Sequence, residues 1–186
     1  MKKSGSQRIE LGEQVAQEME RLWQNSVRDV DRGVVREYAA TLVEGHEGEL
    51  KLVNVVEGSS RQVTPNLAVA EDERLVGTFH THPYENGTQA AFSGQDIAAA
   101  LESQERISLV RSGDEVFALV RTNKTPQEME AAKVNQDFDE EFIKHAASPN
   151  VSFKEAIYLA NIELCRRYGL AFYRSKGGTL REVYRP

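Results

Sequence analysis

The feature that most constrains this chain is a change of period between Leu75 and Arg121. Leu75 to His82 has strand composition and stops at Pro83, a residue that cannot donate to a β-ladder. After a polar loop from Tyr84 to Phe92, Ser93 stands where the N-cap of a helix from Ser93 to Ser103 is expected. Two apolar runs, Ile107 to Arg111 and Glu115 to Arg121, then flank Ser112-Gly113-Asp114, a hairpin signal. Helices and strands that interleave with hairpins in this way pack most naturally as a mixed sheet with helices on its faces, an α/β fold.

The rest of the chain extends that pattern. Residues 1–8 read as a disordered tail. Leu11, Val15, Met19, Leu22 and Trp23 recur at helical spacing, which predicts an amphipathic helix from Ile9 to about Val30. Gly33 breaks it. Strands follow at Tyr38 to Val43 and Leu50 to Val56, with a turn at Gly45 to Gly48 between them. A charged helix runs from Pro126 to near Ala147, and a second helix from Ser152 to Tyr168. Leu170 to Tyr184 holds Gly177-Gly178 between two alternating stretches and reads as a closing hairpin. Residues 9–186 therefore read as one domain, with a core of about 9–122 and a C-terminal extension of 123–186.

Composition excludes several classes. With 186 residues, 40% hydrophobic and 28% charged, the chain can bury a real core, yet no apolar run approaches the ~18–20 residues of a membrane span. A single cysteine, Cys165, rules out an internal disulfide and a multi-cysteine zinc knuckle, and a reducing cytoplasm is the expected location. A net charge of −6 argues against a nucleic-acid footprint.

The chemistry concentrates at His80, His82, Ser93 and Asp96. Residues two apart on a strand share a face, so His80 and His82 can present both imidazoles to one cation while Thr81 points into packing. Asp96 falls in the first turn of the next helix, where the helix dipole also favours a carboxylate. Two histidines and one carboxylate are the ligand set of an open catalytic zinc site. Each fragment also has an ordinary reading: Ser-x-x-Asp is close to a capping box, and a His-x-His pair on a strand can be incidental. Their order, at a strand end and a helix start, is what makes them specific.

His80-Thr81-His82-Pro83, a nine-residue loop, and Ser93-Gly94-Gln95-Asp96 together resemble the signature of the JAMM (MPN-type) zinc metalloproteases, and the resemblance covers roughly residues 9–122. It implies a cytidine-deaminase-like JAMM core. It also implies a zinc ion held by His80, His82 and Asp96 with an activated water as fourth ligand, and Ser93 as a donor to the oxyanion. The family's upstream glutamate, the expected base that moves the water proton to the leaving amine, corresponds to Glu37, which precedes His80 by 43 residues. Glu44, Glu47 and Glu49 are the competitors. Two departures stand out: the loop from Tyr84 to Phe92 is longer than the family's usual spacing, and Glu37 is not followed by the Cys-Gly seen in many eukaryotic members. The implied reaction is hydrolysis of an amide or isopeptide bond at the C-terminus of a ubiquitin-like protein, with E1- or E2-like pathway partners. The alternatives are a metal-free MPN scaffold and a metal-dependent amidohydrolase acting on a small amide or sulfur-carrier adduct.

The remaining candidates have plainer readings. Gly177-Gly178 is internal and reads as a hairpin turn, His46 as an exposed turn residue, and His145 as a helix C-terminal cation. Cys165 reads as a small buried side chain without a base to activate it.

Overall fold

The computed structural model describes residues 7–83, 90–103, 105–176 and 179–186. In chain order its elements are β1 (Arg8–Glu10), α1 (Glu13–Val27), a 3-10 turn (Val30–Arg32), β2 (Tyr38–Glu44), β3 (Leu50–Glu57), β4 (Arg74–Thr81) and α2 (Gly94–Glu102), followed by β5 (Ile107–Ser112), β6 (Glu115–Arg121), α3 (Ala131–Ala146), α4 (Phe153–Tyr168), β7 (Leu170–Lys176) and β8 (Thr179–Tyr184). The strands form one mixed sheet in the order β1-β8-β7-β6-β5-β4-β2-β3.

Every ladder is antiparallel except β4 with β5. That exception is forced by connectivity, because α2 carries the chain from the end of β4 back to the start of β5. The two parallel strands approach closely at Gly77: a Cβ there would strike the carbonyl of Ile107. Glycine is what lets this pair form.

Side-chain alternation divides the interior between two faces. On one, Val15, Met19 and Leu22 of α1 cover Ala40, Leu42, Phe79, Leu109 and Tyr173. On the other, α2, α3 and α4 cover Val110, Phe117, Leu119 and Phe172 with Ile97, Leu101, Val134, Ala160 and Leu164. Each large side chain so buried contributes about 1.5–3 kcal/mol. The consequence for function lies in β4: Phe79 and Thr81 face α1, so Thr78 and His80 face α2.

Several boundaries differ from the sequence-based expectation. Arg8–Glu10 belong neither to a tail nor to the first helix; they form β1, with Ile9 opposite Leu180. Gly12, at φ 81°, turns the chain before α1 begins at Glu13. Ile9 fits a helical stripe as well as a strand, and only β8 decides between them. The helix ends at Val27, and Gly33 at φ 71° closes the 3-10 turn beyond it. The charged helix starts at Ala131 instead of Pro126, because the Pro126 carbonyl accepts from Arg121 Nη2 at 2.6 Å and Thr122 and Thr125 hydroxyls cap the Gly169 carbonyl at 2.6 and 2.8 Å. Of the expected polar loop, residues 84–89 lie outside the described residues, and Ala90, Ala91 and Phe92 are core residues, 1%, 2% and 0% exposed. The Gly177-Gly178 turn also lies outside the described residues, but the strands beside it pair antiparallel, Tyr173 opposite Glu182.

Residues beyond 123 continue the same sheet, since β7 pairs along all of β6 from Glu115 to Arg121. A buried ion cluster ties the two helices of this region together. Asp137 of α3 is 1% exposed and meets Lys133, Arg167 at 2.8 Å and the Tyr168 hydroxyl. Burial pushes its carboxyl up, but the hydrogen bonds from Lys133, Tyr168 and Arg167 outweigh that and lower it from 3.8 to about 2. A carboxylate depressed on folding stabilises above its unfolded pKa, and that stability fades as pH falls through the folded value. Asp137→Asn is therefore expected to cost about 2 kcal/mol at neutral pH, with the gap closing between about pH 4 and pH 2. Urea unfolding of both proteins across that range checks it.

Candidate metal centre

Strand geometry and one helix cap bring the expected ligands together. His80 and the residue just past the strand, His82, project from the α2 face, and the backbone N–H of His82 extends the β4–β5 ladder by donating to the Arg111 carbonyl at 2.8 Å. Ser93 caps α2: its Oγ accepts from the Asp96 N–H at 3.2 Å, and the Asp96 carboxylate accepts from the Ser93 N–H at 2.7 Å. This reciprocal pair fixes Asp96 in the first turn, aimed back at the strand.

The ligand atoms converge. His80 Nε2 and His82 Nε2 are 2.9 Å apart, and each lies 3.3 Å from an Asp96 carboxylate oxygen. Donors at ~2.0–2.1 Å from a tetrahedral ion stand roughly 3.3 Å from one another, so the three atoms need little movement to share one cation. Among the described residues this is the one group of three such side chains close enough to hold a metal ion. His82 is further prepared for that role. Its Nδ1 lies 3.2 Å from the Ala91 carbonyl; a carbonyl can only accept, so Nδ1 carries the proton and Nε2 keeps its lone pair for a metal.

Electrostatics agree with the donor set. Burial would raise the Asp96 carboxyl, but His80 and His82 hold it well below the usual carboxylate range. Burial lowers the His82 imidazole, yet Asp96 and Glu37 outweigh that and raise it. A metal arriving at such a site displaces the imidazole proton.

Register brings Glu37 to the same place. Ala39 of β2 lies opposite His80. Thr81, fully buried, accepts the Tyr38 N–H at 2.9 Å and bonds Ser26 of α1 at 2.6 Å, so the residue facing away from the His80–His82–Asp96 cluster anchors the start of β2 beside it. The Glu37 backbone is held on both sides, donating to Ser59 O at 2.7 Å and accepting from Gly58 N at 2.8 Å. Its half-buried carboxyl is pushed above the ordinary range by burial, against the pull of His82 and His80 and with a push from Asp96. The competing glutamates lie elsewhere. Glu44 pairs with Arg74, and the Glu49 carboxylate accepts from the Glu47 N–H at 3.1 Å. Glu44 lies seven strand steps from Glu37, roughly 23 Å at ~3.3 Å each.

Ser93 lies at the site with a role already in hand. Besides capping α2, its hydroxyl donates to Asp96 Oδ2 at 2.6 Å, the oxygen nearest His82. His46 is exposed, and Cys165 is buried with its thiol pushed far up by desolvation.

No family model matches the chain, and no curated protein matches it.

Asn161 and Ser112 support the site in ways their sequence neighbours do not indicate. Asn161 of α4, fully buried, donates to the Phe92 carbonyl at 2.8 Å and to Ile157 O at 2.9 Å. Phe92 packs edge-on against His80 at 6.2 Å and immediately precedes Ser93. Ser112, also buried, donates to the His82 carbonyl at 2.9 Å and accepts from Ala90 N at 3.2 Å. Together they pin both flanks of the ligand segment from β5 and α4. An asparagine on an apolar helix face was the available signal, but its partner lies 69 residues away. Asn161→Leu keeps the volume and removes the donor, so metal affinity should fall about 10–100-fold. Competition with a chromogenic chelator measures it; unchanged affinity would show that the Phe92 contact is dispensable for the ligands.

Proposed function

We propose that this chain is a zinc-dependent JAMM (MPN-type) peptidase or isopeptidase, hydrolysing an amide or isopeptide bond at the C-terminus of a ubiquitin-like protein. The observation that carries the reading is the convergence of His80, His82 and Asp96 at one point of a cleft of about 740 Å³ that Glu37 also lines. When bound there, zinc would supply a Lewis acid for the scissile carbonyl and bring the pKa of water toward ~7.

The chain's own residues do the rest. Glu37, its carboxyl pushed upward by burial, would take a proton from water and return it to the leaving amine. Ser93 first holds Asp96 in position; rotating its hydroxyl toward the substrate carbonyl would give the oxyanion a donor. Phe92 closes one side of the His80 ring. Residues 61–65 and Leu67 line the same cleft, and their segment is held by hydrogen bonds from Thr41 Oγ1 to Asn66 O at 2.5 Å and from Asn54. An extended substrate tail would lie along this cleft, which α2 also lines.

Metal analysis of the purified protein, paired with a cleavage panel of ubiquitin-like fusions and small amides, tests the proposal. About one zinc per chain and chelator-sensitive cleavage of a fusion are expected. A zinc-loaded protein that cleaves small amides alone would point to an amidohydrolase, and a protein that binds no zinc to a scaffold. No helix among the described residues is long and apolar enough to cross a membrane.

A further inference from the structure

A second hollow lies on the same face of the sheet as the metal centre, three strands away. Cross-strand neighbours run His80, Val110, Phe117, Arg174 and Arg181 in one row through β4, β5, β6, β7 and β8. Arg174 therefore stands roughly 14 Å from His80 at ~4.8 Å per strand. Beside it is a cavity of about 240 Å³, walled by Ala91, Phe117, Ser152, Lys154 and Tyr158. It shares no lining residue with the cleft of His80 and Asp96. Ala91 separates the two, since its carbonyl faces His82 Nδ1.

Glu115 also lines this cavity and is 0% exposed. A carboxylate so buried needs a partner, and one arginine would neutralise it. Three cations gather on it instead. Its Oε1 accepts from Arg174 Nε at 2.8 Å and from Arg174 Nη2. Lys154 Nζ stands 2.9 Å from Oε2, an atom that makes no hydrogen bond, so charge holds this contact. Lys176 Nζ lies 3.8 Å from Oε1. Arg181, opposite Arg174, faces the same side. Against these four cations stand Glu115 and, exposed at the edge, Glu155. The local surplus is positive in a chain of net charge −6.

Arg174 is held in place before any ligand arrives. Glu115 grips its Nε and Nη2, and the guanidinium lies over the rings of Tyr158 and Phe117 at 5.2 and 5.9 Å. A donor whose rotamer is already fixed loses little entropy on binding. Its Nη1 is not used by Glu115. Ser152, the N-cap of α4, brings the positive end of a 16-residue helix to the same wall. Arg174 and Lys154 are partly exposed at the mouth, while Phe117 is buried beneath them. Cationic donors above aromatic walls complement an anionic head on an apolar ring. With Glu115 and Glu155 beside it, a monoanion fits this charge balance better than a dianion.

We propose that this cavity is a binding site for a small aromatic carboxylate. Arg174 and Lys154 hold the carboxylate, Glu115 positions Arg174, and Phe117 and Tyr158 line the ring. The site does not depend on the peptidase reading.

The probes are benzoate, its neutral isostere benzamide, and acetate, which is the head without the ring. Each is titrated into the full chain, with and without chelator, and followed by NMR amide shifts. Benzoate should bind about tenfold or more tightly than benzamide, the worth of one charge-assisted hydrogen bond, and more tightly than acetate. The shifts should centre on Phe117, Tyr158 and Arg174 and be indifferent to chelator. An anion held by zinc would instead mark Gly94 and Asp96 and be lost with the metal. Lys154→Gln should weaken benzoate about threefold or more, as a partly exposed charge pair does, and leave benzamide unchanged. Arg174 is kept intact, because removing it would strand Glu115 in the interior. Benzoate binding no tighter than benzamide or acetate, shifts centred elsewhere, or a preference unmoved by Lys154→Gln would overturn the proposal. Should that variant fail to fold, the wild-type titrations decide it.

Discussion

Glu37→Gln is expected to bind zinc as the wild type does and to lose cleavage by about 10²–10⁴-fold, the usual contribution of a positioned general base. The substitution keeps size and shape, and the backbone bonds to Ser59 and Gly58 do not involve the carboxylate. The carboxylate makes no hydrogen bond among the described residues, so replacing it leaves no structural partner stranded. Glu44→Gln, made beside Arg74 at the far end of the strand, should leave turnover within a factor of a few. Zinc analysis and single-turnover cleavage of the same preparations check both statements. Retained activity in Glu37→Gln would remove it as the base.

Asp96→Asn is expected to weaken zinc binding beyond the ~10–100-fold that outer contacts cost, because it removes a charged ligand and not merely its support. An asparagine oxygen still accepts from the Ser93 N–H, so the α2 cap survives and the fold should hold. What is lost is the anion between two imidazoles, each 3.3 Å from it. Chelator competition and circular dichroism together separate the effects: native helicity with zinc affinity lost is expected. Unchanged affinity would mean that the histidines bind metal without Asp96, or that the ion sits elsewhere. Activity should vanish alongside the metal.

Part of this site was readable from local chemistry alone. The strand from Leu75 to His82 alternates, Pro83 must end it, and a serine three residues before an aspartate starts a helix. Those facts bring His80, His82, Ser93 and Asp96 to the ends of two consecutive elements. The choice of Glu37 needed more. Only the resemblance to the JAMM signature points to it in the sequence, and its position next to His80 follows from the register of β2 against β4, which Thr81 anchors through Tyr38 and Ser26.

By itself, then, the sequence determined the period of each segment, the turns at Pro83 and the Ser112-Gly113-Asp114 hairpin, and the ligand types, because those depend on residues a few positions apart. Only the tertiary structure decided that Ile9 pairs with Leu180 as a strand, that Phe92 is core, that Asn161 and Ser112 brace the segment around His82 and Ser93, and that Glu105 accepts from Thr78. Each of these joins residues from 22 to 171 positions apart. No short-range preference selects such partners; sheet order and helix docking do.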